Sequence, residues 1–158
     1  MDSLLAKLNF KTHPRVLVLD APEEAAALVA SLRARAEVSV DLKAKGPFDF
    51  AIVFLKACQD ISTAVAAGKT LGEDAPFWCA YPKKRSKKYV SDLSRDGGWQ
   101  PLGDLGFEPV RQVALDEDWS ALRFRKVEKI RTMIRSADFA LSPAGKLKAS
   151  QRPTSGKK

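Results

Sequence analysis

The chain has 158 residues, of which 45% are hydrophobic, and its 27 Lys/Arg against 19 Asp/Glu give a formal charge of +8. This size predicts one domain with a single core, and the two cysteines and one histidine exclude a disulfide scaffold and the usual four-ligand zinc site. No run approaches the ~18 apolar residues of a membrane span, and the apolar part of the N-terminus is too short for a signal peptide, so we expect a cytoplasmic protein with no membrane partner.

The positive charge is concentrated in the second half of the chain. Residues 83–126 hold ten Lys/Arg against seven Asp/Glu, and residues 127–158 hold eight against two. This asymmetry predicts an anionic partner such as nucleic acid, a phosphorylated ligand or an anionic surface. A basic tail that is simply solvated is the alternative.

The first half of the chain alternates strands and helices. After an amphipathic turn over residues 4–10, short apolar runs predict strands at Arg15–Asp20, Val38–Leu42, Phe48–Leu55 and Ala75–Tyr81. One helix is predicted to open near Pro22, with Asp20 as its cap, and another to run from Cys58 to Ala67. Alternation of this kind predicts a parallel sheet.

In the second half of the chain, the spacing of the hydrophobic residues changes after a basic segment. A helix start is predicted at Ser91 or Asp92, and short helical pieces continue to Leu105. Val110–Leu115 and Trp119–Arg125 then predict an antiparallel hairpin. The fold class is therefore α/β, a three-layer Rossmann-like open sheet that is mostly parallel and ends in an antiparallel hairpin. We expect a domain over residues 1–126, a basic amphipathic helix over 127–141 and a disordered basic tail over 142–158.

A three-residue loop in the hairpin fixes its register. Val113 would face Ala121, and Arg111 would face Arg123, which is destabilising unless an acid or a bound anion lies between the two arginines. Two readings stay open. The arginines, with Arg95, belong to an internal ion network with Asp92, Asp96 or Glu108, or they present a fork for a carboxylate or phosphate.

Two blocks carry family resemblances. Gly106-Phe107-Glu108-Pro109-Val110 followed by Ala121-Leu122-Arg123-Phe124-Arg125 resembles the closing unit of class I methyltransferase-like Rossmann folds. More closely, the chain from about residue 12 to 126 resembles a small bacterial family of unknown function. The residues that carry this second resemblance are Tyr81-Pro82-Lys83-Lys84, Ser91–Asp96, Gly98-Trp99, Glu108–Ala114 and Trp119–Phe124. It implies the Rossmann-like fold and no established activity.

Several common chemistries are not supported by the residues. The turn after the first strand, Asp20-Ala21-Pro22-Glu23-Glu24, has no glycine and three carboxylates, so phosphate would be repelled and we expect no nucleotide or methyl-donor cofactor. Gly68-Lys69-Thr70 closes a helix where a P-loop would open one. His13 has no Gly-x-Ser-x-Gly partner motif, and the acids at 116–118 indicate a turn rather than a metal site. No catalytic motif is recognisable, so whether the protein is an enzyme stays open.

The strongest candidate site is the basic segment after the fourth predicted strand. Ligands of open α/β sheets bind beyond the carboxyl ends of the strands, and aromatic residues flank this segment. The candidate anion-binding or nucleic-acid-binding residues are Lys83, Lys84, Arg85, Lys87, Lys88, Arg95, Arg111 and Arg123. The alternative is that Tyr81 and Trp99 pack in the core while the lysines stay solvated.

Two functions follow from this reading. The first is a non-catalytic binding or regulatory module that recognises nucleic-acid backbone or another polyanion. The second is a small-molecule-binding enzyme, or a degenerate methyltransferase-like protein, with a pocket at the strand ends lined by Asp20, Lys56, Tyr81, Asp92 and Trp99. The sequence does not decide the oligomeric state.

Overall fold

The fold is a three-layer α/β sandwich built on one six-stranded sheet. A computed structural model describes residues 2–129, without the side chains of the first and last of these. Its strands are β1 (Arg15–Leu19), β2 (Glu37–Ser39), β3 (Phe50–Phe54), β4 (Phe77–Pro82), β5 (Phe107–Ala114) and β6 (Trp119–Lys126). The sheet order is β2-β1-β3-β4-β6-β5, with β1 to β4 parallel and β6 antiparallel to both of its neighbours.

The strands alternate with short helices on both faces. They are α1 (Asp2–Lys7), α2 (Ala26–Arg33), α3 (Ile61–Gly68) and α4 (Gln100–Gly103), and single 3-10 turns cover Glu23–Ala25, Cys58–Asp60 and Val127–Lys129. No helix within residues 2–129 is long and apolar enough to cross a membrane. The predicted fold class is confirmed: a mostly parallel, Rossmann-like sheet closes with an antiparallel hairpin.

Each face of the sheet buries its own hydrophobic cluster, as expected for a sheet covered on both sides. All five residues of β3 and all six of β4 are buried, which explains their continuous apolar sequence. We call the side that carries Cys79, Tyr81 and Phe124 the α3 face, because α3 packs there. The side that carries Trp78, Ala80 and Ala121 is the α2 face.

The hairpin has the predicted register. Val113 pairs with Ala121 and Arg111 with Arg123, and a bulge between Pro109 and Arg111 shifts the pairing further along β5. Because side chains alternate along a strand, Arg111 and Val113 lie on the α2 face and Gln112 lies on the α3 face. This alternation decides which residues of the hairpin share a site.

Two local predictions were wrong. Asp20 does not cap a helix: it takes a left-handed conformation at φ 57°, and the following 3-10 turn begins after Pro22 with no side-chain cap. No helix begins at Ser91 or Asp92 either, since that stretch is a loop with an isolated bridge between Ser94 and Gly97. Of the predicted helix over 127–141, the first three residues form a 3-10 turn; residues 130–141 and the predicted tail over 142–158 lie outside the described residues.

Candidate functional site

The strand order reverses at β1, whose neighbours are β2 and β3, so the crevice beyond β1 and β3 is where an open α/β sheet would bind a ligand. The side chains of Glu24 and Tyr89 meet there. The Tyr89 hydroxyl donates to Glu24 at 2.6 Å, and the Lys56 ammonium lies 5.8 Å from the centre of the Tyr89 ring. Side chains from the turn after β1, from the end of β3 and from the basic segment therefore contact one another at this end of the sheet.

Glu24 joins three separate segments of the chain. Its carboxylate accepts hydrogen bonds from the Tyr89 hydroxyl, from Trp119 Nε1 at 2.8 Å and from Lys88 Nζ at 3.0 Å. The Tyr89 bond, supported by those from Trp119 and Lys88, lowers the pKa of Glu24 to about 2. The carboxylate is thus ionised at neutral pH and ties the basic segment to the turn after β1.

The backbone donors after β3 are also used internally. The N–H groups of Lys56 and Ala57 donate to Asp60 at 3.1 and 3.2 Å, and that of Cys58 donates to Asp92 at 2.7 Å. Free N–H groups at such a turn would favour a phosphate. Here two carboxylates of the protein take that place, and a bound anion would have to displace them.

The cavity that gathers the predicted cations lies on the α3 face, beyond the carboxyl end of β4. It has a volume of about 580 Å³. Its wall on the sheet side combines Tyr81 with residues of the hairpin, and its wall on the loop side is the segment after β4. The lining residues are Tyr81, Lys83, Lys84, Arg85, Ser94, Arg95, Asp96, Gln112, Ala114 and Ser120.

The loop that forms the cavity is fixed at both ends. The N–H of Lys83 donates to the Asp118 carbonyl at 2.8 Å, and the Ser86 hydroxyl donates to the Asp118 carboxylate at 2.7 Å. At the other end Leu93 is buried, and Trp99 Nε1 donates to the Ser94 carbonyl at 2.7 Å. The cations are therefore carried by a loop whose ends are attached to the sheet layer.

Tyr81 and Trp99 belong to the core and do not offer open rings for stacking. They are 4% and 2% exposed and pack edge to face, with ring centres 5.6 Å apart. The Tyr81 hydroxyl oxygen accepts a hydrogen bond from the Gln112 side-chain amide at 2.9 Å. Burial raises the pKa of Tyr81, so the group facing the cavity is a neutral hydroxyl.

The structure divides the predicted anion-binding residues into three groups. Lys83, Lys84, Arg85 and Arg95 line this cavity together. Lys87 and Lys88 line a neighbouring groove with Arg85 and the two acids Glu117 and Asp118. Arg111 and Arg123 lie on the α2 face, on the opposite side of the sheet.

Arg123 lies near an acid that the sequence did not indicate. Asp74, in the loop before β4, binds Arg125 through two hydrogen bonds of 3.1 and 2.7 Å. Burial lowers the pKa of Arg123, the nearby Arg125 and Arg111 lower it further, and Asp74 opposes them. Of the acids named for the internal network, Asp92 is instead bound to Cys58 and Asp96 lines the cavity beyond β4.

The pocket predicted for a small molecule does not form around all five of its residues. Tyr81 reaches the cavity beyond β4, Trp99 is buried behind Tyr81, and Asp92 holds the turn after β3. Asp20 is exposed after β1, and Lys56 lies near Tyr89. The cavity is displaced from the β1–β3 crevice toward the hairpin.

The two cysteines and the histidine do not line the cavity. Cys58 and Cys79 are free thiols, and burial raises the pKa of both. His13 is half-buried beside Phe10 and Phe50, and desolvation lowers its pKa. Among residues 2–129 no cluster of three or more His, Cys, Asp or Glu could hold a metal ion.

Sequence reasoning missed five cavity residues and the role of Glu24. Ser94, Gln112, Ala114 and Ser120 line the cavity without having been candidates, and Asp96 had been named only for an internal ion network. The hairpin register contained a signal for two of them, because Gln112 must face away from Arg111 and Ser120 must face away from Ala121. No sequence signal pointed from Glu24 to Tyr89 and Trp119, which are 65 and 95 residues away.

No family model and no curated protein matches the chain. Similar solved structures include a functionally unknown protein from Deinococcus radiodurans R1, a SAM dependent methyltransferase from Aquifex aeolicus and the N-methyltransferase NodS from Bradyrhizobium japonicum WM9, each with a TM-score of 0.46. They are 13%, 12% and 14% identical over 80%, 80% and 78% of this chain, and 85%, 89% and 93% of their own chains are covered. We draw no conclusion about activity from likeness at this level.

Proposed function

We propose that the protein is a non-catalytic binding module that recognises the phosphate backbone of nucleic acid through the loop after β4. The observation that supports this most is the lining of the cavity beyond β4, which we call the phosphate cavity and where four cations meet one carboxylate. Cations gathered in this way neutralise phosphates and release counterions from a polyanion.

The cations form a continuous track. Arg85 lines both the phosphate cavity and the neighbouring groove of about 500 Å³, where Lys87 and Lys88 follow. Lys84, Arg85 and Lys87 are exposed, so their charged groups are accessible to phosphates. Lys88 contributes less to this track, because its ammonium is paired with Glu24 at 3.0 Å.

Contacts to phosphate position a strand without reading its bases. We therefore expect binding that is independent of base sequence and steeply weakened by salt. An anisotropy titration of a fluorescent 20-mer at several salt concentrations measures both the affinity and the salt slope. Changing Lys83 and Lys84 together to glutamine should weaken binding at least tenfold at ~50 mM salt and lower the slope by about two.

Lys69→Gln supplies a matched control for the same measurement. Lys69 is exposed at the end of α3, at the other end of the sheet from the cavity. Its change to glutamine lowers the net charge by as much as a single lysine-to-glutamine change at the cavity. It should leave the affinity within about twofold. Absence of binding at ~50 mM salt, or equal losses for Lys69 and Lys84 single variants, would refute the proposal.

A further inference from the structure

The phosphate cavity differs from a plain basic groove in having a built interior. Asp96 is the one carboxylate among its four cations, and three neutral polar side chains, Ser94, Gln112 and Ser120, complete the polar lining. Ser120 is 4% exposed and sits opposite Tyr81 in the β4–β6 ladder. A polyanion that needs only positive charge would use neither the carboxylate nor these groups.

The polar groups of the sheet wall are held in place. The Gln112 amide donates to the Tyr81 hydroxyl at 2.9 Å, and Tyr81 is in turn packed against Trp99. On the loop wall, Ser94 and Gly97 exchange two backbone hydrogen bonds of 3.3 Å around the turn that carries Arg95 and Asp96. A cation and a carboxylate are therefore presented side by side by one tight turn.

A carboxylate in such a cavity restricts the ligand. An ionised carboxylate only accepts hydrogen bonds, so it repels a phosphate and binds hydroxyl or amine donors. A ligand that gains from both Arg95 and Asp96 must carry an anion at one end and hydroxyl donors nearby. The cavity volume of about 580 Å³ is suited to a ligand the size of one nucleotide or sugar phosphate.

We propose that the phosphate cavity binds a phosphate monoester attached to a hydroxyl-bearing ring, with the cations on the phosphate and Asp96 on the ring hydroxyls. A monoester carries close to two negative charges at neutral pH and an internal phosphodiester only one, so four cations favour the monoester. This chemistry is shared by free sugar phosphates and nucleotides and by the phosphorylated end of a nucleic-acid strand. The inference rests on the proposed function for the role of the cations.

Isothermal titration of the full-length protein tests the small-ligand arm with three probes: ribose 5-phosphate, adenosine 5′-monophosphate and inorganic phosphate. We expect both sugar phosphates to bind at least about tenfold more tightly than inorganic phosphate. Asp96→Asn should remove that preference, because it weakens the sugar phosphates and strengthens inorganic phosphate. Arg95→Gln should weaken all three, and Lys69→Gln, at the other end of the sheet from the cavity, should change none of them by more than about twofold.

Inorganic phosphate binding as tightly as ribose 5-phosphate would overturn the proposal. So would an Asp96→Asn variant that strengthens all three probes equally, since Asp96 would then act only by repulsion. Arg95→Gln and Asp96→Asn replace exposed side chains, and an unchanged melting temperature verifies that both variants fold.

A second set of titrations distinguishes strand ends from free sugar phosphates as the ligand. It also tests this inference independently of the proposed function. Single-stranded 12-mers with a 5′-phosphate or a 5′-hydroxyl, and a closed circular plasmid without ends, are titrated at the same salt concentration. Preference for the 5′-phosphate indicates strand ends, whereas sugar-phosphate binding with no end preference indicates free metabolites. Plasmid binding without any monoester preference refutes this inference and leaves the proposed function intact; monoester binding without plasmid binding does the reverse.

Discussion

At the scale of single residues, Glu24 connects the turn after β1 to the basic segment and to β6 through its hydrogen bonds. One carboxylate holds the Tyr89 hydroxyl, the Trp119 indole and the Lys88 ammonium, and its side chain is only 20% exposed. Sequence reasoning treated it as a charge that repels phosphate after β1. The structure adds that the same charge anchors the basic segment.

Glu24→Gln should lower the free energy of unfolding at pH 7 by about 1 to 2 kcal/mol, because a neutral amide accepts weaker hydrogen bonds than a carboxylate. The pKa of Glu24 is lowered from 4.5 to about 2, so its ionised form stabilises the fold fully above about pH 4.5. That contribution is lost as the pH falls through about 2. Chemical denaturation of both proteins between pH 2 and 7 should therefore show a difference that closes only in this acid range.

Glu23→Gln is the control, because it removes the same charge from the exposed neighbouring residue. Equal destabilisation by both changes, or a difference for Glu24→Gln that does not vary with pH, would contradict the role assigned to this carboxylate.

At the scale of elements, the loop between β4 and α4 depends on one glycine. Gly98 has φ +99°, and a Cβ there would lie 2.5 Å from Leu93 Cδ2 and 2.9 Å from Cys58 Sγ. Leu93 is 1% exposed, so it has little room to move. This contact closes the loop against the turn after β3.

Gly98→Ala should destabilise the protein by about 2 to 3 kcal/mol, through the left-handed backbone and the overlap with Leu93. It should also weaken phosphate monoester binding, because the loop carries Arg95 and Asp96. Gly97→Ala is the control, since its Cβ would meet nothing nearer than the Ser94 hydroxyl at 3.4 Å. Thermal melts that rank the two variants equally would show that the Gly98 contact does not fix the loop.

Elements were predictable from the sequence where a local pattern determines them. The hairpin register followed from the length of its turn, and the buried strands followed from continuous apolar runs such as residues 50–54. The helix expected at Asp92 failed for a reason outside its own segment. The Asp92 carboxylate binds the Cys58 N–H, 34 residues away, and Leu93 is drawn into the core, so tertiary contacts override the local capping signal.

The candidate site was predictable only in part, for the same reason. Consecutive cations identified the loop, whereas the cavity depends on which face of the sheet each hairpin residue occupies. Tyr81 looked equally suited to stacking and to the core until its contacts with Trp99 and Gln112 were known.

At the scale of the whole molecule, the sheet separates two positively charged regions. Lys84 and its neighbours lie on the α3 face, and Arg111 and Arg123 lie on the α2 face. Net charge alone would make all these cations equivalent for a polyanion. The fold predicts instead that the first group affects binding and the second affects stability.

Arg111→Gln and Lys84→Gln each remove one positive charge. The first should change the stability of the protein and the second should change its affinity for the polyanion. Arg111 faces Arg123, whose pKa burial already lowers, so relief of their repulsion should stabilise the protein by up to about 1 kcal/mol and leave polyanion binding unchanged. The gain should shrink between 0.1 M and 1 M salt, as the screening length falls from about 10 to about 3 Å.

Lys84→Gln should leave the melting temperature unchanged, because this side chain is exposed, and should weaken binding. Denaturation and anisotropy measured on both variants test the separation, and an Arg111 variant that loses as much affinity as the Lys84 variant would show that both faces contact the ligand.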